Sequence, residues 1–179
     1  MKKISLILGL TAGLFALSSG AAPADDYQKC LLKVSKADLE AKIDFQTGLA
    51  DLIIEDYPGL GNLAILNRDL QIGLAQARNM KLTYLIEDDV ARLVSASGLT
   101  RFTNFDWSAQ DDADLEALNP EFSGLLDQVD ILAEKNNDNP AWPDLRAKFV
   151  ELQAGKEFQK ILENFIKEQE KAGQRLEGC

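Results

Sequence analysis

The sequence predicts an all-α fold: a single-domain bundle of five or six helices stapled by one disulfide. Three observations predict it. Apolar residues recur at helical spacing almost everywhere after the first two dozen positions. No run alternates apolar and polar residues as a half-buried strand would. The chain's two cysteines, Cys30 and Cys179, stand near opposite ends.

The first element is a leader. Lys2 and Lys3 precede an apolar run from Ile4 to Leu17, and SSGAAPADD follows, the order of a secretory signal peptide. The run has fourteen residues, short of the roughly 18 needed to cross a bilayer as a helix, so residues 1–24 are expected to be removed. Asp25 then begins the mature chain. Cleavage after Ala21 is the nearest alternative, whereas cleavage after Ala22 would put Pro23 behind the scissile bond. Residues 25–179 make one domain large enough to bury a substantial core. No later stretch reaches membrane-spanning length and no cysteine follows the apolar run closely enough for lipidation, so a periplasmic protein without a stable membrane anchor is expected.

In the mature chain, Tyr27, Leu31, Val34, Ala41, Phe45, Leu49 and Leu52 form one stripe, ended after Tyr57 by Pro58, Gly59 and Gly61. Leu32, Leu39, Ile43, Ala50 and Ile54 give a second apolar face, and a helix apolar on two sides belongs at the centre of a bundle. Ser35-x-x-Asp38 leaves open a break within it. The next helix runs from Asn62 to Val94 on Leu63, Leu66, Leu70, Leu74 and Ala77, then Leu82, Leu85, Ile86, Val90 and Leu93, with a kink conceivable at Arg78 to Met80 and Gly98 as its stop. SGLTRFTNFDW, from Ser97 to Trp107, lacks the helical pattern.

Ser108-x-x-Asp111 then reads as a capping box, with Asp111, Asp112 and Asp114 favourable at a helix N-terminus. Asn119-Pro120 starts a helix that buries Phe122, Leu125, Leu126, Val129 and Ala133. A polar turn at 136–143 leads into a short helix with Trp142 on the core and Leu145, Phe149 and Leu152 inside. Gly155 interrupts. The last helix, with Phe158, Ile161, Leu162, Phe165 and Ile166 on one face and Glu163 paired with Lys167 on the other, is expected to close at Gly173.

The cysteines are expected to pair, since disulfides persist in an exporting compartment and there is no closely spaced redox pair. In the chain-entropy model a bridge across nearly the whole chain contributes about 5 kcal/mol as an upper figure. Lys2 and Lys3 leave with the leader, so seventeen basic residues face twenty-nine acidic ones, a formal charge of −12. Such a field repels nucleic acid and anionic lipid and draws in a basic partner.

The chain has no histidine, which removes the commonest general base, the usual zinc ligand and every triad built on imidazole. GxxxxGK[ST] and GxGxxG do not occur, nor does the alternating acidic order of a calcium loop. No catalytic residue, metal or cofactor is expected. Glu87, Asp88 and Asp89 fan out around a helix and cannot converge on one ion unaided, which makes them a solvated face. The segment from Leu99 to Trp107 carries the candidate partner-binding residues Arg101, Phe102, Asn104, Phe105 and Trp107, because interaction surfaces favour aromatics and arginine on loops over a rigid scaffold. The competing reading is a core seal, since burying three large rings is worth on the order of several kcal/mol.

These features lead to the expectation of an exported, non-catalytic periplasmic protein that binds another protein, a basic one, as an inhibitor or immunity protein against a cell-envelope enzyme would. An alternative is a carrier or chaperone for an apolar small molecule or lipid held between helices, which demands a cavity of several hundred Å³. A hydrolase using paired carboxylates ranks third.

Overall fold

A computed structural model describes residues 24–93 and 98–179. Among them are six α-helices and no strand: α1 (Ala24–Asp56), α2 (Gly61–Asp88), α3 (Ala109–Leu118), α4 (Pro120–Asn137), α5 (Trp142–Leu152) and α6 (Lys156–Glu177). The predicted leader lies outside the described residues apart from Ala24, which opens α1. No helix among the described residues is long and apolar enough to cross a membrane.

The two apolar faces of α1 set the architecture. One packs on α2 and the other on α6, while α4 packs on the far side of α2. Near the chain ends, Leu31 and Val34 of α1, Leu82, Leu85 and Ile86 of α2 and Leu176 of α6 enclose Phe102 in one core. The Cys30–Cys179 disulfide closes this end, joining residues 149 apart in sequence. At the opposite end, Ala50 and Ile53 meet Leu63 and Ala64 of α2 and Leu145 and Leu152 of α5. Between the two along α1 lies a polar layer. Asp38, 6 % exposed, accepts from Lys42 Nζ at 2.6 Å and from Gln169 Nε2 of α6 at 2.8 Å, and Asn79 Nδ2 donates to the Ser35 carbonyl at 3.1 Å. These partners satisfy groups that would otherwise cost free energy to bury, and they fix how α6 sits along α1.

Three boundaries differ from the sequence reading, and the break left open at Ser35 does not occur. α1 runs unbroken through Ser35, whose hydroxyl donates back to the Leu32 carbonyl at 2.9 Å instead of capping a new start. α2 passes Arg78 to Met80 as one helix and stops at Asp88, short of Val94; a 3₁₀ turn, Val90–Leu93, follows. Val94 and Ser97 lie outside the described residues. Gly98 opens a turn and does not stop a helix: it takes φ +58°, a left-handed conformation that glycine adopts without steric cost, and starts the 3₁₀ turn Gly98–Phe102. Gly173 sits inside α6, which continues to Glu177 so that Ala172 and Leu176 reach the disulfide-end core.

Candidate functional site

The segment after Gly98 is a scaffolded aromatic strap. Its turn buries Phe102 at 2 % exposure and leaves Asn104 in solvent. Arg101 is half-buried and donates from Nη1 to Tyr27 Oη at 3.3 Å. Two arginines on neighbouring elements hold the strap's carbonyls: Arg78 of α2 donates to those of Phe102, at 3.4 Å, and Thr103, and Arg92 donates to that of Asp106 at 2.5 Å. Phe105 and Trp107 are half-buried and meet edge-on at 6.1 Å, and Trp107 meets Tyr84 of α2 edge-on at 5.9 Å.

The strap's far end is fixed by the first turn of α3. Ser108 and Asp111 form the complete reciprocal capping box that the spacing predicts. The same Asp111 receives both arms of Arg92, at 2.8 and 2.9 Å. Asp112 accepts from Trp107 Nε1 at 2.9 Å and pairs with Lys81 of α2 at 2.6 Å. The Arg92 guanidinium and then the Ser108 donors hold Asp111 well below the usual carboxylate range. Burial pushes Asp112 upward, but its bonds to Lys81 and Trp107 outweigh that and leave it lowered.

The strap walls one side of an open groove of about 300 Å³, whose other walls are Leu74 and Ala77 of α2 and Leu126 and Val129 of α4. α2 and α4 approach closely because Gly73 has no side chain: a Cβ there would stand 2.8 Å from Val129 Cγ2. Leu74 is 47 % exposed on the rim. Arg78 lies 5.3 Å from the Phe105 ring and Lys81 lies 5.2 Å from the Trp107 ring, so both cations cover aromatic faces while bonded to the strap or to Asp112. The groove is therefore apolar in its walls and compensated in its rim charge. Such a surface suits a large apolar side chain.

Of the five candidate residues, the structure brings Phe105 and Trp107 together in this groove and places Phe102 in the core behind them. Arg101 faces Tyr27 on the side of α1. The sequence reading put Leu74 in the buried stripe of α2, where it is instead 47 % exposed, and did not give Arg78 or Lys81 a place in the site, although the i, i+4, i+7 spacing of the three puts them on one face.

Elsewhere, Glu87, Asp88 and Asp89 are all exposed, and among the described residues no group of three or more acidic or cysteine side chains could hold a metal ion. Asp111, Asp112, Glu151 and Glu168 are all held below the ordinary carboxylate range, each with a basic side chain bonded to it. That is the direction of ion-pair partners, opposite to what a general acid needs. Comparison with protein-family models, with curated proteins and with solved structures finds no match to this chain.

Proposed function

We propose that this chain is an exported, non-catalytic binding protein that engages a basic protein partner, seating an apolar side chain of that partner between Phe105, Trp107 and Leu74. The observation that carries the reading is the combination of a tethered strap and an open groove. Arg78, Arg92 and Asp112 tether the strap by hydrogen bonds at three points, and the groove beside it is open at about 300 Å³. A preorganised aromatic surface loses little conformational entropy on binding. The mature charge of −12 supplies long-range attraction for a basic partner, an effect screened beyond about 8 Å at physiological salt.

The test is affinity capture from a periplasmic extract with the mature chain and with Leu74→Lys, which places an ammonium on the exposed rim at small cost to the fold. The wild type should retain a partner that the variant loses at unchanged melting temperature. That partner's association rate should fall steeply as salt rises. Equal retention by both chains would remove the groove from consideration. Trp107→Ala should raise the dissociation rate beyond what its stability loss explains. A sharp drop in melting temperature with an unchanged dissociation rate would make the strap a core seal only.

A further inference from the structure

The last helix is covered along only part of its length. Toward the C-terminus it buries Ala172 and Leu176 in the core that holds Phe102, whereas Phe158, Ile161, Leu162 and Phe165 are half-buried and Ile166 is 47 % exposed. Against α1 this leaves a furrow. One hollow of about 280 Å³ lies over Ala41, Phe45, Gly48, Ile161 and Phe165. A second, of about 200 Å³ over Leu52, Leu152 and Phe158, adjoins it at Glu157, which borders both. The rings of Phe45 and Phe165 stand 4.7 Å apart in the floor, and a Cβ on Gly48 would approach Ile161 Cδ1 to 3.2 Å. Between Ala41 and Glu55, α1 rises about 21 Å at about 1.5 Å per residue, close to four helical turns.

The rim of this apolar furrow is acidic. Glu40, Asp44, Asp51 and Glu55 are all exposed, and their i, i+4, i+11, i+15 spacing confines them to an arc of about 60° beside the floor. Asp44, Asp51 and Glu55 have no ion-pair partner within 4.0 Å among the described residues. Across the furrow stand Glu157 and Glu168, and among the described residues Lys156 and Lys160 are the basic ones lining the hollows. Glu168 pairs with Lys171 at 2.6 Å, Glu157 with Lys160 at 3.9 Å and Glu40 with Lys36 at 4.0 Å, which leaves Asp44, Asp51 and Glu55 as the uncompensated part of the ridge.

We infer that the furrow between α1 and α6 is a docking site for a cationic amphipathic helix of a partner protein. Two adjoining hollows suit apolar anchors one or two turns apart on such a helix, and lysines or arginines flanking its apolar stripe would meet the unpaired carboxylates. The same charge argues against the other occupants. An anionic membrane surface would be repelled, and a second copy of this chain would bring two acidic ridges together.

The test is calorimetric titration of the mature, disulfide-bonded chain with a synthetic 15-residue leucine–lysine peptide whose leucines recur at i, i+4, i+7 and i+11. A peptide of the same composition, scrambled to abolish the stripe, is the control. The chain should bind the amphipathic peptide one to one, and the scrambled peptide at least tenfold more weakly. Asp44→Lys combined with Glu157→Lys should weaken binding at least tenfold. Asp127→Lys combined with Asp130→Lys, the same charge change on exposed positions of α4, should change it less than twofold. Should the first pair fail to fold, Asp44→Asn with Glu157→Gln should still weaken binding about threefold. Trp107→Ala should leave this binding unchanged, because the furrow shares no lining residue with the aromatic groove. The inference is overturned by no binding, by equal affinity for the scrambled peptide, by equal losses in the two charge-reversal pairs, or by sedimentation showing that the furrow is occupied by a second copy.

Discussion

The two halves of α6 differ in pattern and in fate: the N-terminal half carries Phe158, Ile161, Leu162, Phe165 and Ile166 yet is the less covered, while the C-terminal half offers only Ala172 and Leu176 and buries both. Toward the C-terminus, Ala172 and Leu176 are covered by α1, α2 and the turn at Phe102, and the disulfide ties the helix end to Cys30. Toward the N-terminus, Phe158 packs beside Leu152 of α5, whereas Ile161 and Phe165 line the open hollow against α1 and Ile166 is 47 % exposed. Amphipathicity therefore identifies which face of a helix is apolar but not how completely that face is covered. Coverage depends on distant segments, here the strap after Gly98, whose placement no local pattern records.

This contrast sets the size of side-chain truncations. Phe102→Ala should lower stability by about 3–5 kcal/mol, because it empties a closed core. Phe165→Ala should cost only about 1–2 kcal/mol, since the ring already contacts solvent and little cavity is created. Paired denaturant titrations check both, and equal midpoints would erase the distinction between the halves. Opening the bridge with Cys30→Ser and Cys179→Ser should remove about 2–5 kcal/mol and fray the C-terminal half of α6 first. Proteolysis that begins nearer Phe158 would contradict that order.

A smaller effect separates the strap from the furrow by pH. Asp111 is held below its ordinary value, so its contribution is fully present above the unfolded carboxylate pKa of about 4 and is lost as pH falls through that value toward its own. Asp111→Asn should lower the melting temperature at neutral pH and flatten the decline seen below about pH 4. The smallest change is Lys167→Ala, under about 0.5 kcal/mol, because Lys167 is exposed and the ion pairs of α6 are Glu157–Lys160 and Glu168–Lys171.

Much of the fold was legible in the residues. The helical spacing, the Ser108 capping box, the Asn119-Pro120 start and the lone cysteine pair each determined a local feature that the structure retains. The break left open at Ser35 is absent because its hydroxyl bonds back to the preceding turn instead of capping a new helix. Gly173 misled because tertiary burial of Leu176 outweighs the helix cost of one glycine. At the candidate site, aromatic content marked Phe105 and Trp107, whereas Arg78 and Arg92 could not be recognised as anchors because their targets are backbone carbonyls 14 to 25 residues away. The acidic ridge of α1 was not read, although the i, i+4, i+11, i+15 spacing of Glu40, Asp44, Asp51 and Glu55 carries it. The apolar furrow beside it was not legible, because its other wall comes from α6.

The most direct test of the contrast between the two halves of α6, and of the docking proposed at the N-terminal one, is amide hydrogen exchange of residues 25–179 with and without the leucine–lysine peptide. Residues 41–55 and 156–168 should gain protection on binding, while exchange of residues 27–35 and 172–179 at the disulfide end should be unchanged by the peptide. Protection spread evenly over the chain, or concentrated at the disulfide end, would contradict the account.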